Sequence, residues 1–452
     1  MKRRILNIAC IGAGYVGGPT MAVIADRCPD VSVTVIDQNE ARIAAWNSEA
    51  LPVYEPGLAE IIRRTRGRNL RFISQTEGAA AIAQADAIFI SVNTPTKTQG
   101  PGAGKASDLT YVESCARTIA EHATGHTIVI EKSTMPVRAA DSIKRILATS
   151  RHGATFAVLS NPEFLAEGTA IRDLEQPDRV LIGGEDPEAI ESLAEVYRRW
   201  VPEPAILRTG LWSAELSKLA ANAFLAQRVS SINAISALCE ATEADVDEVA
   251  TVLGSDSRIG PKFLRSSVGF GGSCFKKDLL SLIYLCESYQ LAAPAAYWQG
   301  VLDLNEWQKG RIADLAADHA RRHGGVVAVL GLAFKKDTND FRESPAIDVC
   351  NRLLAAGLRL RLQDERVDAQ AFSAGLAGGS AGGFSFFASA EEAAQGADAI
   401  LVLTEWNRYA KLDWSALAAR SAKDAAVFDG RAVIDRKAAR AAGFKVYAVG
   451  KG

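Results

Sequence analysis

The sequence predicts an α/β protein in which two domains built on parallel sheets are joined by a helical middle with one very long helix. Three observations carry this expectation. Short apolar runs alternate with helical or loop segments through the first third of the chain. The same alternation resumes after Gly324. Between them lies a stretch with neither Pro nor Gly. Near-continuous apolar strands alternating with helices imply parallel sheets covered on both faces.

In chain order, Ile5–Ile11, Val31–Ile36, Leu70–Ile73, Ala87–Val92, Thr127–Glu131 and Phe156–Ser160 read as the strands of the first domain. From Trp212 to about Glu240, the residues Leu216, Leu219, Phe224, Val229, Ile232 and Ile235 recur at helical spacing. About 29 residues at ~1.5 Å each give roughly 43 Å, enough to cross a whole domain. Further helix is expected over Val246–Leu253 and Asp278–Tyr289. Val326–Leu330, Leu358–Leu362, Ala399–Thr404, Ala426–Asp429 and Lys445–Val449 read as the second set of strands, and Ala374–Gly383 as a surface loop. The expected boundaries are 1–211, 212–323 and 324–452.

Composition narrows the function. The 452 residues are 48% apolar and 23% charged, an ordinary globular mixture able to bury a large core. The 51 Lys+Arg nearly balance the 53 Asp+Glu, so no chain-wide basic footprint for nucleic acid exists. Seven scattered cysteines without a CxxC, and only five histidines, suggest neither a disulfide framework nor a metal site. Lys2-Arg3-Arg4 imitates the start of a signal peptide. Asn7 interrupts the apolar run, however, and glycines follow where a cleavage site would stand. With no apolar stretch of ~18 residues, a reducing, cytoplasmic setting away from membranes is expected.

The first chemical signal is Gly12-Ala13-Gly14-Tyr15-Val16-Gly17 after an apolar strand. The second glycine lets the backbone approach a pyrophosphate, and the helix that opens there offers free N–H groups and a positive dipole end. The next strand runs to Asp37, twenty residues after Gly17, where a ribose 2′-hydroxyl needs an acceptor. This is the fingerprint of a Rossmann-like domain. Asp37 would repel a 2′-phosphate and favours NAD over NADP, although Arg42 is the kind of side chain that accepts such a phosphate.

Three further segments carry chemistry. Val268-Gly269-Phe270-Gly271-Gly-Ser-Cys274-Phe-Lys-Lys-Asp278 presents one cysteine just before an amphipathic helix. A helix N-terminus beside lysines favours the thiolate. Cys10, Cys115, Cys239, Cys286 and Cys350 read instead as buried, inert residues, and Cys28 as a surface bystander. Asn161-Pro-Glu163-Phe-Leu-Ala-Glu167-Gly follows a strand end, the usual place for chemistry in an open parallel sheet. On the long helix, Lys218 and Asn222 are four residues apart and share a face. A lysine out of water there could polarise an oxygen.

Together these segments resemble the UDP-glucose 6-dehydrogenases, and in particular the animal-type branch of the UDP-glucose/GDP-mannose dehydrogenase family. The likeness runs over nearly the whole chain. It rests on Gly12–Thr20, Ser91–Thr98, Glu131–Thr134, Asn161–Gly168, Glu215–Asn222, Gly269–Asp278, and Phe334–Thr338 with Arg342-Glu-Ser.

The resemblance implies an N-terminal Rossmann-like NAD domain, a central dimerisation segment, a C-terminal Rossmann-like UDP-sugar domain, and a homodimer or dimer-based hexamer. It implies Cys274 as nucleophile, Lys218 as oxyanion stabiliser, Glu163 and Glu167 as acid–base groups, and Asn222 and Asp278 as holders of Lys218 or water. The expected NAD contacts are the fingerprint residues, Asp37, Arg42, Val92, Asn93, Thr94, Ser133, Thr134, Glu167 and Arg342. The expected sugar-nucleotide contacts are Glu163, Phe164, Leu165, Ala166, Glu167, Lys218 and Asn222; Phe263, Arg265, Ser266, Ser267, Val268, Gly269, Phe270 and Gly271; and Phe334, Lys335 and Arg431. Arg258 resembles an arginine lent to a neighbouring subunit. The implied reaction is the four-electron oxidation of UDP-glucose to UDP-glucuronate through a cysteine thiohemiacetal and thioester. A sibling acting on UDP-N-acetyl-mannosamine or GDP-mannose would share the chemistry.

Overall fold

The structure, a computed structural model, describes residues 4–377 and 383–451. Lys2, Arg3 and residues 378–382 of the expected Ala374–Gly383 loop lie outside the described residues. The chain divides into two compact units, Met1–Ala221 with Leu280–Tyr289, and Asn222–Leu279 with Gln290–Gly452.

In the first unit the strands are β1 (Asn7–Ile11), β2 (Ser32–Asp37), β3 (Leu70–Ser74), β4 (Ala87–Ile90), β5 (His126–Glu131), β6 (Thr155–Ser160), β7 (Val180–Gly183) and β8 (Ile206–Thr209). Their order in the sheet is β3-β2-β1-β4-β5-β6-β7-β8. Chain order reverses at β1, which pairs with both β2 and β4 in parallel. The loops leaving β1 and β4 therefore open at the switch point where such sheets bind ligands. The strand period of two sends Ile8 and Cys10 into one core and Ala9 into the other, so both faces are covered.

The expected parallel sheet has one antiparallel pairing at its far edge. The β7 strand meets β6 antiparallel at a single pair, Ser160 with Gly183, and then pairs in parallel with β8. The Asn161 side chain, directly after β6, donates to the Leu181 carbonyl of β7 at 2.7 Å. A four-residue strand bounded by Gly183-Gly184 gives a weak sequence signal, and its direction depends on these contacts. Cys28 is likewise not a surface residue. It is buried, with its sulfur 3.8 Å from the Val196 carbonyl, while Cys286 is only half-buried.

In the second unit β9 (Val326–Leu330), β10 (Arg359–Gln363), β11 (Phe384–Phe386), β12 (Ala399–Val402), β13 (Ala426–Asp429) and β14 (Lys445–Ala448) form a sheet in the order β11-β10-β9-β12-β13-β14. Its pairings are all parallel, and it again reverses at its first strand. The long helix runs over Leu211–Thr242, 32 residues. A second long helix, Ala292–Arg321, contains Pro294, Gly300 and Gly310 and is missing from the sequence expectation. Pro294 falls in the first turn, where its missing N–H costs nothing. Gly310 leaves room that a Cβ would take within 2.9 Å of the Arg352 guanidinium. The helix buries Ile312, Ala313, Ala316 and Ala320 against this unit's core. Among the described residues no helix is long and apolar enough to cross a membrane.

One side chain ties the first core to the fingerprint loop. Trp46 is fully buried and stacks on Phe72 with centroids 4.8 Å apart, and its indole N–H donates to the Ala13 carbonyl at 2.9 Å. Truncating a buried aromatic costs about 3–5 kcal/mol. Trp46→Ala should lower the unfolding free energy by about that amount in chemical denaturation. It should also weaken NAD binding more than a core truncation remote from residue 13.

Candidate active site

The first unit gathers its candidate residues at the carboxyl ends of β1, β2, β4, β5 and β6. Gly12 has φ 111°, and a Cβ there would lie 2.3 Å from the Ser91 carbonyl oxygen. At Gly17 a Cβ would lie 2.0 Å from the Gly12 carbonyl oxygen. Beside Gly14 there is nothing within 4 Å of the Cβ position. Two glycines thus close the turn tightly and the third leaves open space, as a cradle for a pyrophosphate requires. Val16 precedes the helix Gly17–Arg27, whose first N–H groups face that loop.

Asp37 is buried at the end of β2. One carboxylate oxygen accepts from the Ala13 N–H at 2.8 Å and from Arg42 at 3.1 Å, and the other accepts from the Asn39 N–H. Its remaining acceptor capacity fits a ribose hydroxyl, and Arg42 is committed to the same carboxylate. These residues fit NAD. Val92, Asn93 and Thr94 leave β4 beside Ser133 and Thr134. The Ser133 hydroxyl donates to the Val92 carbonyl at 2.5 Å, and the Thr94 hydroxyl donates to the Thr134 carbonyl at 2.9 Å. Tyr15 donates to Glu55, which also accepts from the N–H groups of Gly168 and Ala170 at 2.5 and 3.0 Å. Burial and that carboxylate push the Tyr15 phenol up, so it stays a neutral donor.

Glu163 and Lys218 form a salt bridge at 3.0 Å with both side chains almost fully buried. The other Glu163 oxygen accepts from the Leu165 N–H at 2.8 Å. Phe164 lies between two cations, with Arg179 3.9 Å and Lys218 5.5 Å from its ring centroid. Leu165 is half-buried and Ala166 exposed, while Glu167 is half-buried and its charge acts on Tyr15. Glu215, one turn before Lys218, accepts from the Arg138 and Ala140 N–H groups at 2.7 and 2.9 Å and so anchors the helix that follows Ser133-Thr134.

The second unit presents the thiol. Cys274 is half-buried immediately before the helix Phe275–Ser288, and its carbonyl accepts the Asp278 N–H at 2.9 Å. Asp278 is buried, accepts from the Asn222 amide at 2.6 Å and pairs with Lys277 at 2.9 Å. The glycine loop before it is tightly held. The Ser267 N–H donates to Asn233, and Asn305 both accepts from Phe270 N–H and donates to its carbonyl. The Val268 N–H donates to the Gly430 carbonyl and the Gly269 N–H to the Ser267 hydroxyl. A Cβ at Gly271 would lie 2.3 Å from the Glu343 carbonyl.

Ser266 donates to the Val449 carbonyl and Arg265 to the Ala432 carbonyl. Arg431 donates to the Leu403 and Phe334 carbonyls, and Lys335 lies 5.4 Å over the Phe334 ring. Arg342 pairs with Asp340 at 2.6 Å. Phe263 is exposed with φ 63°. Arg258 pairs with Asp256 and keeps 87% of its side chain in solvent. Sequence reasoning passed over Glu55, Asn305 and also Arg228, which donates to the carbonyls of residues 259, 260 and 262. None of them carries a local pattern.

A dinucleotide cradle, two Rossmann-like sheets, one in each unit, and a cysteine presented by a glycine loop define a class: NAD-dependent dehydrogenases with a second nucleotide domain. The chain matches the NAD-binding domain of the UDP-glucose/GDP-mannose dehydrogenase family over residues 6–201, its central domain over 212–307 and its UDP-binding domain over 328–436. The chain belongs to that family.

It is 53% identical over 470 residues to UDP-glucose 6-dehydrogenase 1 of Oryza sativa subsp. japonica, covering 99% of this chain and 97% of that one. It is equally identical, over 461 residues, to the UDP-glucose 6-dehydrogenase of Caenorhabditis elegans, covering 99% and 95%. Among solved structures, a UDP-glucose dehydrogenase from Pyrobaculum islandicum superposes with a TM-score of 0.86 at 32% identity, covering 100% of this chain and 99% of that chain.

Gly17→Ala tests the cradle. The added methyl must displace the Gly12 carbonyl, so NAD titrated by calorimetry should bind at least about tenfold more weakly, a loss of ~1.4 kcal/mol. UDP-sugar binding should change little.

Proposed function

We infer that this protein is a UDP-glucose 6-dehydrogenase, oxidising UDP-glucose to UDP-glucuronate with NAD. The observation that carries this reading beyond family membership is Cys274, set at a helix start beside the Asn222–Asp278 pair. An alcohol dehydrogenase that stopped at the aldehyde would need no nucleophile there.

The Gly12–Gly17 cradle and Asp37 would hold NAD, which would supply the hydride acceptor for each of the two successive oxidations at carbon 6. Glu163 or Glu167, directly or through water, takes the hydroxyl proton of the primary alcohol. The Cys274 sulfur adds to the aldehyde carbon, and the Lys218 Nζ stabilises the oxyanion of the resulting thiohemiacetal. Loss of the second hydride leaves a thioester. Asn222 and Asp278 hold the water that hydrolyses it, releasing the acid and restoring the thiol. The covalent sulfur keeps the aldehyde from escaping between oxidations.

Phe263–Gly271, Phe334, Lys335 and Arg431 bind the UDP-sugar, and that remote binding orients the reacting end. Val92–Thr94, Ser133, Thr134 and Arg342 complete the NAD contacts. The three parts 1–211, 212–323 and 324–452 serve the cofactor, dimerisation and the UDP-sugar respectively. Exposed Phe224, Leu238 and Trp307 on the central helices support a homodimer or dimer-based hexamer, and the solvent-facing Arg258 supports its being lent to a neighbouring subunit. Seven free cysteines suit a reducing, cytoplasmic setting.

The wild type should release two NADH per UDP-glucose and yield acid, counted by absorbance and chromatography. Cys274→Ala should keep its fold and bind NAD and UDP-glucose while acid formation falls by several orders of magnitude. Acid at about a tenth of the wild-type rate from that variant would exclude the thioester route.

A further inference from the structure

Lys132, directly after β5, is 4% exposed. Its Nζ donates to Asn161 Oδ1 at 3.1 Å and to the Tyr197 hydroxyl at 3.4 Å. The Tyr197 hydroxyl itself donates to Asn161 Oδ1 at 2.6 Å, and the Asn161 amide is spent on the Leu181 carbonyl. Both acceptors are neutral, which is a poor return for burying a full positive charge. The compensating anion is Glu163, two residues beyond Asn161, which raises the proton affinity of Lys132, whereas Lys218 lowers it. Glu163 therefore serves two buried lysines, one through the 3.0 Å salt bridge and one through the field.

We propose that Lys132 is a positioning residue for the dehydrogenase reaction: its buried ammonium clamps Asn161 and Tyr197 and so fixes the strand end from which Glu163 reaches Lys218. This rests on the reading of Glu163 as an acid–base group of the site. The clamp joins the two loops that leave β5 and β6, because Lys132 directly precedes Ser133-Thr134 and Asn161 directly precedes Pro162-Glu163. The charged and titratable groups that act on Lys132 are Glu163, Lys218 and the Cys10 thiol from β1, with the Tyr197 phenol in contact from the helix Pro187–Tyr197. Burial pushes Cys10 and Tyr197 well up, so both stay neutral through the working range. The same burial brings Lys132 down to about 8, which puts its charge loss within reach of an assay.

Two measurements test this. In the unfolded chain Lys132 titrates near 10.5 and in the folded chain near 8, so between these values the unfolded state binds more protons. The stability of the wild type relative to Lys132→Met should therefore rise with pH across that window, read as a wild-type thermal midpoint that climbs relative to the variant's. This readout needs no activity and stands even if UDP-glucose proves not to be the substrate, an outcome that would fail the functional reading alone.

The second measurement is the pH profile of kcat/KM for UDP-glucose. With the clamp gone, the neutral-pH value for Lys132→Met should fall about tenfold, and its profile should lose the alkaline limb that reports discharge of the Lys132 ammonium. Tyr197→Phe, which removes one oxygen from the ammonium and keeps the ring packing, should move the alkaline limb down while leaving the acid limb in place. It also serves if the methionine variant does not fold. A constant difference in thermal midpoint, or a wild-type alkaline limb in either variant, would reduce Lys132 to a packing residue and overturn the proposal.

Discussion

A charge held out of water has to be answered by another charge or by several dipoles, and most of the functional geometry follows from that requirement. The Glu163–Lys218 bridge is nearly free of solvent on both sides. Transferring either ion alone would cost several kcal/mol, which the partner offsets. The pair is also not isolated. Glu163 accepts the Leu165 N–H, and Lys218 lies over the Phe164 ring. Such a bridge adds little net stability over an apolar replacement. Its retention fits a chemical task, because a lysine whose alternative to its partner is a developing oxyanion is already desolvated when the reaction begins.

The same requirement orders the second unit. Asp278 is 1% exposed and is satisfied by Asn222, by Lys277 and by its place in the first turn of a helix, where the dipole favours an anion. Lys309, equally buried, is answered by Glu306 and Asp348 at 2.9 and 2.7 Å. One of these clusters lies beside the proposed nucleophile and the other stiffens the helix Ala292–Arg321. Burial of charge alone does not mark an active site. It does so where a cysteine, a glycine loop or a strand end is also present.

Close approach of the backbone is the second device. Gly12, Gly17 and Gly271 each sit where a Cβ would come within 2.3 Å of a carbonyl oxygen or nearer, and no rotamer relieves a clash with main chain. Gly14 differs, since nothing occupies the space beside it. The distinction separates glycines that let the protein fold tightly from the one that leaves room for a ligand. Sequence spacing alone presents them as equivalent.

What the amino-acid sequence determined by itself is whatever lies within a short window. Apolar periodicity marked five of the six strands around β9 and six of the eight around β1, while the short β7, β8 and β11 escaped it. The absence of Pro and Gly after Trp212 marked the long helix. The spacing from Gly12 to Asp37 marked the dinucleotide site, and the glycines before Cys274 marked the presented thiol. Lys218 and Asn222 were legible as neighbours because a helix puts residues four apart on one face.

Their partners were not legible. Asp278 lies 56 residues from Asn222, and nothing local links them. Only tertiary structure decided that β7 runs against β6, that Cys28 is buried, and that Glu55 and Lys132 serve the loops around them. The reason is physical: secondary structure follows from local sterics and side-chain period, whereas burial and ion pairing depend on which distant segments the fold brings together.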